Sequence, residues 1–227
     1  MDYLCDNTAG MKFSILHPSR GRPKMAYDTF VKWVDSFSDT HQIEYILSID
    51  EDDKFRYVYV DQFKNTGVTV VVSNNRSCVD ASNQAAKVAT GDCLIVVSDD
   101  FECPLHWDIE LSNKVRTLET ELYAIQIDDG YSYPKRLLTL PIISRQLYNK
   151  LGYVYNPIYF SMWVDNDLYE TCSRLGVLTT YPIRFQHMHY ANGKRPSDKT
   201  DQRHGSTSAF NEGKRIFQER EKAGFPV

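Results

Sequence analysis

Glycine supplies 11 and proline 9 of the 227 residues, too few for a collagen-like, low-complexity or disordered chain. Cysteine is sparse as well. The five, at Cys5, Cys78, Cys93, Cys103 and Cys172, form no CxxC pair, which argues against a cysteine zinc site or a disulfide framework and fits a reducing compartment. No apolar run approaches the ~18 residues of a membrane span. The opening Met1-Asp2-Tyr3-Leu4-Cys5-Asp6 has neither the basic nor the apolar region of a signal peptide, so the expectation is a soluble, cytoplasmic protein. Positive charge is not in excess either: 26 basic side chains face 30 acidic ones, a net charge of -4. No global field therefore exists to hold nucleic acid, although a local basic patch stays open.

What the chain does have is a hydrophobic fraction of 42% and 15 tyrosines. That is enough for a real core, and at ~150 residues per domain the length predicts a single domain over 1–227. The tyrosine rings read as half-buried strand residues or as the lining of a sugar or base site.

After a loose tail of about ten residues, residues 12–17 (KFSILH) read as a buried strand running into the polar turn of residues 18–23. Ala26, Phe30, Trp33, Val34 and Phe37 then recur at helical spacing. Residues 44–49, 68–72 and 93–97 are further continuous apolar runs, as expected of parallel strands buried on both faces. An alanine-rich helix over 79–90, stopped by Gly91 as its C′ residue, separates the last two. This alternation predicts an α/β protein with a largely parallel sheet, whose ligands bind beyond the carboxyl ends of the strands. The second half predicts strands at 121–127, 137–143 and 181–189, and helices at 147–152, 165–175 and 209–223. The polar stretch 191–208 reads as a loop that orders on ligand binding.

The strand ends carry acidic and polar residues. Asp99 and Asp100 follow an apolar strand, where carboxylates need a cation or hydrogen-bond donors; a solvated turn competes with a divalent metal bridging to a diphosphate, for which Mn²⁺ or Mg²⁺ suits. His187 and His189 fall on one face of a strand, and one of them can complete such a shell. Asp165 and Asp167 open a helix, where capping competes with a general-base role. Asp50 can accept a uracil N3–H or a ribose hydroxyl. Arg20, Arg22, Arg76, Lys194, Arg195, Lys199 and Arg203 are spare cations for phosphate. No GxGxxG, GxxxxGK[ST] or GxSxG motif occurs, which disfavours dinucleotide, P-loop and serine-hydrolase readings.

The order of these pieces, from Phe13 to His189, resembles the family 2-type glycosyltransferases with the GT-A fold, a Rossmann-like, mostly parallel sheet flanked by helices. The resemblance implies a nucleotide loop around Pro18, Arg20 and Arg22, a uracil contact at Asp50, and a donor segment holding Asn75, Arg76 and Asn83. Ser82 stands where the family often carries an Arg. Ser98-Asp99-Asp100 is similar to the DXD motif with Ser98 replacing the first Asp, which implies metal contact at Asp100 and diphosphate or ribose contact at Asp99. Val164-Asp165-Asn166-Asp167-Leu168 resembles the family's E-D-x-D-L, placing the base at Asp165. Phe185 to His189 is similar to the strand that brings a His to the metal, and Lys194 to Arg203 would cover the donor diphosphate. The implied halves are residues 11–110 for donor and metal and 111–190 for acceptor, with a loop and helix in 191–227.

The resemblance therefore implies metal-dependent transfer, with inversion, from a nucleotide-diphosphate sugar, UDP first, to an acceptor near Asp128, Asp129, Tyr131 and Trp163. Short sequences of this kind occur in phage and viral genomes, so the implied acceptors are a glycan or a modified DNA base or nucleotide, in the host cytoplasm if viral. A sugar-1-phosphate nucleotidyltransferase and a catalytically silent nucleotide-sugar or glycan-binding module are the rival readings.

Overall fold

The computed structural model describes residues 10–131 and 133–227; the expected N-terminal tail up to residue 9, with Cys5, lies outside the described residues. The first half runs β1 (Lys12–Ser19), α1 (Pro23–Asp35), β2 (Gln42–Asp50), α2 (Arg56–Gln62), β3 (Thr69–Ser73), α3 (Cys78–Val88) and β4 (Cys93–Val96). It continues with β5 (Phe101–Glu102), α4 (Trp107–Arg116), β6 (Ala124–Asp128), β7 (Ile142–Ser144) and α5 (Arg145–Leu151). The remainder is α6 (Val164–Arg174), β8 (Leu178–Arg184), β9 (Gln186–His187), a 3-10 turn (Tyr190–Asn192), α7 (Lys199–His204) and α8 (Thr207–Ala223).

Seven strands form one sheet in the order β3-β2-β1-β4-β7-β6-β8, and β5 pairs with β9 in a second. β3, β2, β1 and β4 are mutually parallel, while β7 runs antiparallel to both neighbours. Because strand side chains alternate, Phe13, Ile15, Tyr45, Leu47, Cys93 and Ile95 enter the core on one face. Leu16, Ile46, Leu94 and Val96 enter the other. Both faces are thus buried, the physical reason that these strands read as unbroken apolar runs. α1 begins with Pro23, whose missing N–H costs nothing there, and buries Ala26, Phe30 and Trp33.

Several boundaries differ from the expectation. α3 ends at Val88 with Ala89 extended at φ -67 and ψ 142, so Gly91 is not its left-handed cap. Gly91 instead packs against β1, donating to Ser14 Oγ at 2.8 Å. Of the strand expected at 137–143 only the end is in the sheet, as β7. The side chain of Gln126 bonds the carbonyls of Lys135 and Leu137, holding that backbone in a turn. The strand expected at 181–189 divides into β8 and β9, with a register break opposite Gln126 and Asp128. The expected loop 191–208 contains α7, whose start carries a capping box between Asp198 and Asp201.

Candidate active site

The parallel strands β1, β2 and β4 end at one edge, and their last residues open on a cavity of about 250 Å³ lined by Pro18, Arg20, Arg22, Asp50, Asp99 and Asp100. Ser98, His187 and His189 complete that wall, together with Arg195, Asp201 and His204 from the C-terminal segment. A larger cavity, about 540 Å³, is lined by Met11, Asp92 and Arg116. It lies at the amino ends of β1 and β4 and holds none of the expected site residues, so the smaller one is where the chemistry gathers.

Asp50 is 4% exposed and is compensated on several sides. Arg20 donates to it at 2.6 Å, Asn75 at 3.0 Å, and the Arg203 guanidinium lies 3.5 Å away. Arg20 also forks onto Asp52. Asp99 is held by a buried chain, its Oδ1 lying 3.0 Å from His17 Nε2, whose other ring nitrogen meets the Tyr45 hydroxyl at 2.6 Å. Arg22 approaches the second oxygen at 3.6 Å.

Asp100 sits at the start of the small β5–β9 sheet. Its carbonyl accepts from Met188 N–H at 2.7 Å, and Phe101 pairs with His187. This pairing brings His187 Nε2 to 3.4 Å from Asp100 Oδ1. Burial opposes ionisation of Asp100, but His187, Ser98 and Arg195 outweigh it and hold the carboxyl well below its ordinary range. Burial, with His187 close by, lowers the His189 pKa. One ligand atom from each of Asp100, His187 and His189 lies within 4.8 Å of the others. Among the described residues, this is the one His/Cys/Asp/Glu group so placed.

A second cavity, about 420 Å³, adjoins the first and shares Cys78 and His187 with it. Its wall carries Asp165, Asn166, Thr139, Trp163, Tyr155 and Phe210. Asp165 stands in the first turn of α6, after Trp163 at the left-handed φ of 74. Its Oδ1 accepts from Asn166 N–H at 3.0 Å. Burial raises its pKa against that hydrogen bond, with Asp129 adding and His187 subtracting.

The other expected residues lie elsewhere. Asn83 is taken up by the backbone of Val154 and Tyr155, through bonds of 3.0, 3.1 and 2.7 Å. Arg76 forks onto Asp80 at 2.7 Å. Lys194 lines a neighbouring cavity with Lys32 and Glu102, which shares Asp99, Asp100 and Arg195 with the donor cavity. Asp128 is paired with Arg184, and Asp129 accepts from Tyr131 N–H and from Thr139 Oγ1. Tyr131 is 59% exposed with Lys135 over its ring. None of these three is in the Asp165 cavity; Trp163 is. Conversely, His17 and Asp201 reach the site without having been singled out for it, and Arg195, expected only as one of seven cations for phosphate, meets Asp100. Asp198-x-x-Asp201, a helix-start pattern in a basic loop, was the available signal.

A mostly parallel sheet flanked by helices, with an acidic cluster beyond the fourth strand, is the architecture of the GT-A glycosyltransferases. The family model of glycosyl transferase family 2 matches residues 14–168, and the chain belongs to that family. Solved structures similar to it include S. aureus TarS in complex with UDP-GlcNAc, 15% identical with a TM-score of 0.64 over 91% of this chain and 65% of that one. Another structure of TarS gives 15% identity and a TM-score of 0.62 over 77% of this chain, which spans 36% of that one. The mannosyltransferase PcManGT from Pyrobaculum calidifontis, in complex with GDP-Man and Mn²⁺, is 13% identical with a TM-score of 0.59, covering 95% of this chain and 76% of that one. At such identities the likeness is one of fold. No curated protein sequence matches the chain. Among the described residues no helix is long and apolar enough to cross a membrane.

Proposed function

We propose that this chain is a glycosyltransferase that moves a sugar from a nucleotide-diphosphate sugar, first of all a UDP-sugar, to an acceptor hydroxyl with inversion, using Mn²⁺ and Asp165 as base. The observation that carries the reading is the junction of the two cavities at His187. On one side lie a carboxylate and two imidazoles; on the other lies a carboxylate whose pKa burial raises.

The donor set fits a divalent cation. One carboxylate oxygen with two imidazole nitrogens suits Mn²⁺ better than Mg²⁺, which prefers oxygen ligands. Asp100, His187 and His189 would hold it. When bound, the metal supplies Lewis-acid stabilisation of the leaving diphosphate. Asp165 takes the proton of the acceptor hydroxyl as its oxygen bonds to the anomeric carbon. The bond from that carbon to the β-phosphate oxygen breaks, and its electron pair leaves with the nucleoside diphosphate. Arg22 and Arg195 line the same cavity and neutralise charge there. Asp50, fixed by Asn75, is the acceptor for a uracil N3–H, and the UDP-GlcNAc held by the similar TarS fold supports that donor class.

The Asp165 cavity presents rings and hydroxyls but no Lys or Arg. An uncharged acceptor ring fits it, whether a glycan sugar or a modified nucleobase. The reading takes the chain as one domain acting in the cytoplasm. It is tested by thermal shift with UDP, GDP, CDP and dTDP, each with and without Mn²⁺. A ligand at 100 times its Kd adds about 2.7 kcal/mol of stability. Metal-dependent stabilisation by UDP above the others is expected; no response to any nucleotide would overturn the reading.

A further inference from the structure

The segment that follows β9 crosses the mouth of the donor cavity and is pinned there by ion pairs. Arg22 forks onto Asp198 at 2.7 Å and reaches Asp201 at 2.5 Å. Thr200 donates to the Arg20 carbonyl at 2.9 Å, and Arg203 to that of Arg76 at 2.7 Å. One contact in this strap goes to the cation-binding cluster itself. The Arg195 guanidinium meets Asp100 Oδ2 through Nε at 3.2 Å and NH2 at 2.9 Å. Its other edge meets Asp201 at 2.6 and 2.8 Å.

Asp100 is therefore occupied. Its Oδ1 accepts from Ser98 at 2.6 Å and faces His187, while Oδ2 is covered by Arg195. A divalent ion held by this carboxylate has to share it with, or take it from, a guanidinium whose charge repels it at close range. Arg195 cannot give up its proton, so it carries its charge with it when it leaves Asp100, and an incoming anion offers a new partner. The planar fork suits a diphosphate oxygen pair as well as a carboxylate.

We infer that Arg195 is an exchange residue: it caps Asp100 until a metal takes that carboxylate, and then passes to the donor diphosphate. The inference rests on the metal-dependent reading above and deepens it, because it couples the two ligands. Metal binding releases the guanidinium that the diphosphate needs, and diphosphate binding frees the carboxylate that the metal needs. By linkage each strengthens the other by the same factor. The strap stays anchored through Arg22 and Asp198, so the exchange needs only the Arg195 side chain to move.

The test uses binding, not turnover. Mn²⁺ affinity is read from the EPR signal of the free ion with no nucleotide present, and UDP affinity by calorimetry in EDTA. Arg195→Gln is expected to bind Mn²⁺ about fivefold tighter than the parent chain and UDP about tenfold weaker. Unchanged Mn²⁺ affinity would overturn the capping role, and unchanged UDP affinity would overturn the transfer. Asp100→Asn separates this from the larger reading: it should lose Mn²⁺ binding, and if it does not, metal site and exchange both fall. If Arg195→Gln melts early, Arg195→Lys carries the test, with both shifts in the same directions and smaller.

Discussion

Arg220 of the C-terminal helix donates to Asp167 at 2.5 Å, two residues beyond Asp165 on α6. Tyr159 donates to the same oxygen at 3.0 Å, and Asp167 is only 1% exposed. Trp163, just before α6, packs on Phe210 and Phe217 of the same C-terminal helix, at ring distances of 5.5 and 5.2 Å. α8 thereby fixes the helix that presents the proposed base.

Removing one partner of a buried pair leaves an uncompensated charge and costs about 3 kcal/mol. Arg220→Met is expected to lower the unfolding free energy by that order in urea titration and to reduce turnover with it. Asp167→Asn added to Arg220→Met should recover part of the loss. A loss below about 1 kcal/mol, the size of a surface pair, would mean that Arg220 does not hold α6.

Another compensated carboxylate, Glu44 of β2, lies near the amino ends of the parallel strands. Glu44 accepts from Ser14 Oγ at 2.6 Å, from Gly91 N–H at 3.0 Å and from Thr90 Oγ1 at 2.9 Å, with Lys12 at 3.2 Å. Burial opposes its ionisation, but Ser14, Thr90 and Lys12 outweigh it and lower its pKa from 4.5 to about 2. The folded chain holds the proton less tightly than the unfolded one, so this stabilisation is full above pH 4.5 and is lost as pH falls towards 2. Glu44→Gln should lose on the order of 2 kcal/mol at pH 7 and much less at pH 3. Parallel stability curves for the two chains across that range would contradict it.

Gly91 closes the same corner by its lack of a side chain. A Cβ there would lie 2.5 Å from Ser14 Oγ, 2.8 Å from the Lys12 carbonyl and 2.9 Å from Ser14 N. Two of these are backbone atoms of β1 that cannot give way. Gly91→Ala is thus expected to destabilise by about 1–3 kcal/mol. An unchanged melting temperature would show that β1 and β4 can spread apart at their amino ends.

The role of Gly91 marks where the sequence was legible and where it was not. Local pattern located β1 to β4 because strands buried on both faces leave an apolar run that needs no partner to be seen. The same runs located the loops after them, and with these Asp50, Asp99 and Asp100. What failed depended on distant partners. Gly91 looked like a helix cap because it follows an alanine-rich helix, whereas the contact that requires it is with Ser14, 77 positions away. Asn83 looked like a donor ligand, yet its hydrogen bonds go to a turn 71 and 72 residues on. α7 is six residues long, too short for an apolar stripe, and its order comes from Arg22, 176 residues earlier. Arg195 was one of seven equivalent-looking cations until the fold set it against Asp100.

Asp165 carries the sharpest prediction for catalysis. A general base works ionised, so turnover should rise with pH as Asp165 loses its proton and then level off. Because burial raises its pKa, the limb should fall above the ~3.9 of a free aspartate. Asp165→Asn should lower kcat about 10²- to 10⁴-fold and abolish that limb. UDP binding should stay within about twofold, since Asp165 lines the neighbouring cavity and not the donor wall. The two readouts separate the roles: an intact kcat in Asp165→Asn removes the base assignment, whereas a large loss of UDP affinity would move Asp165 to the donor side.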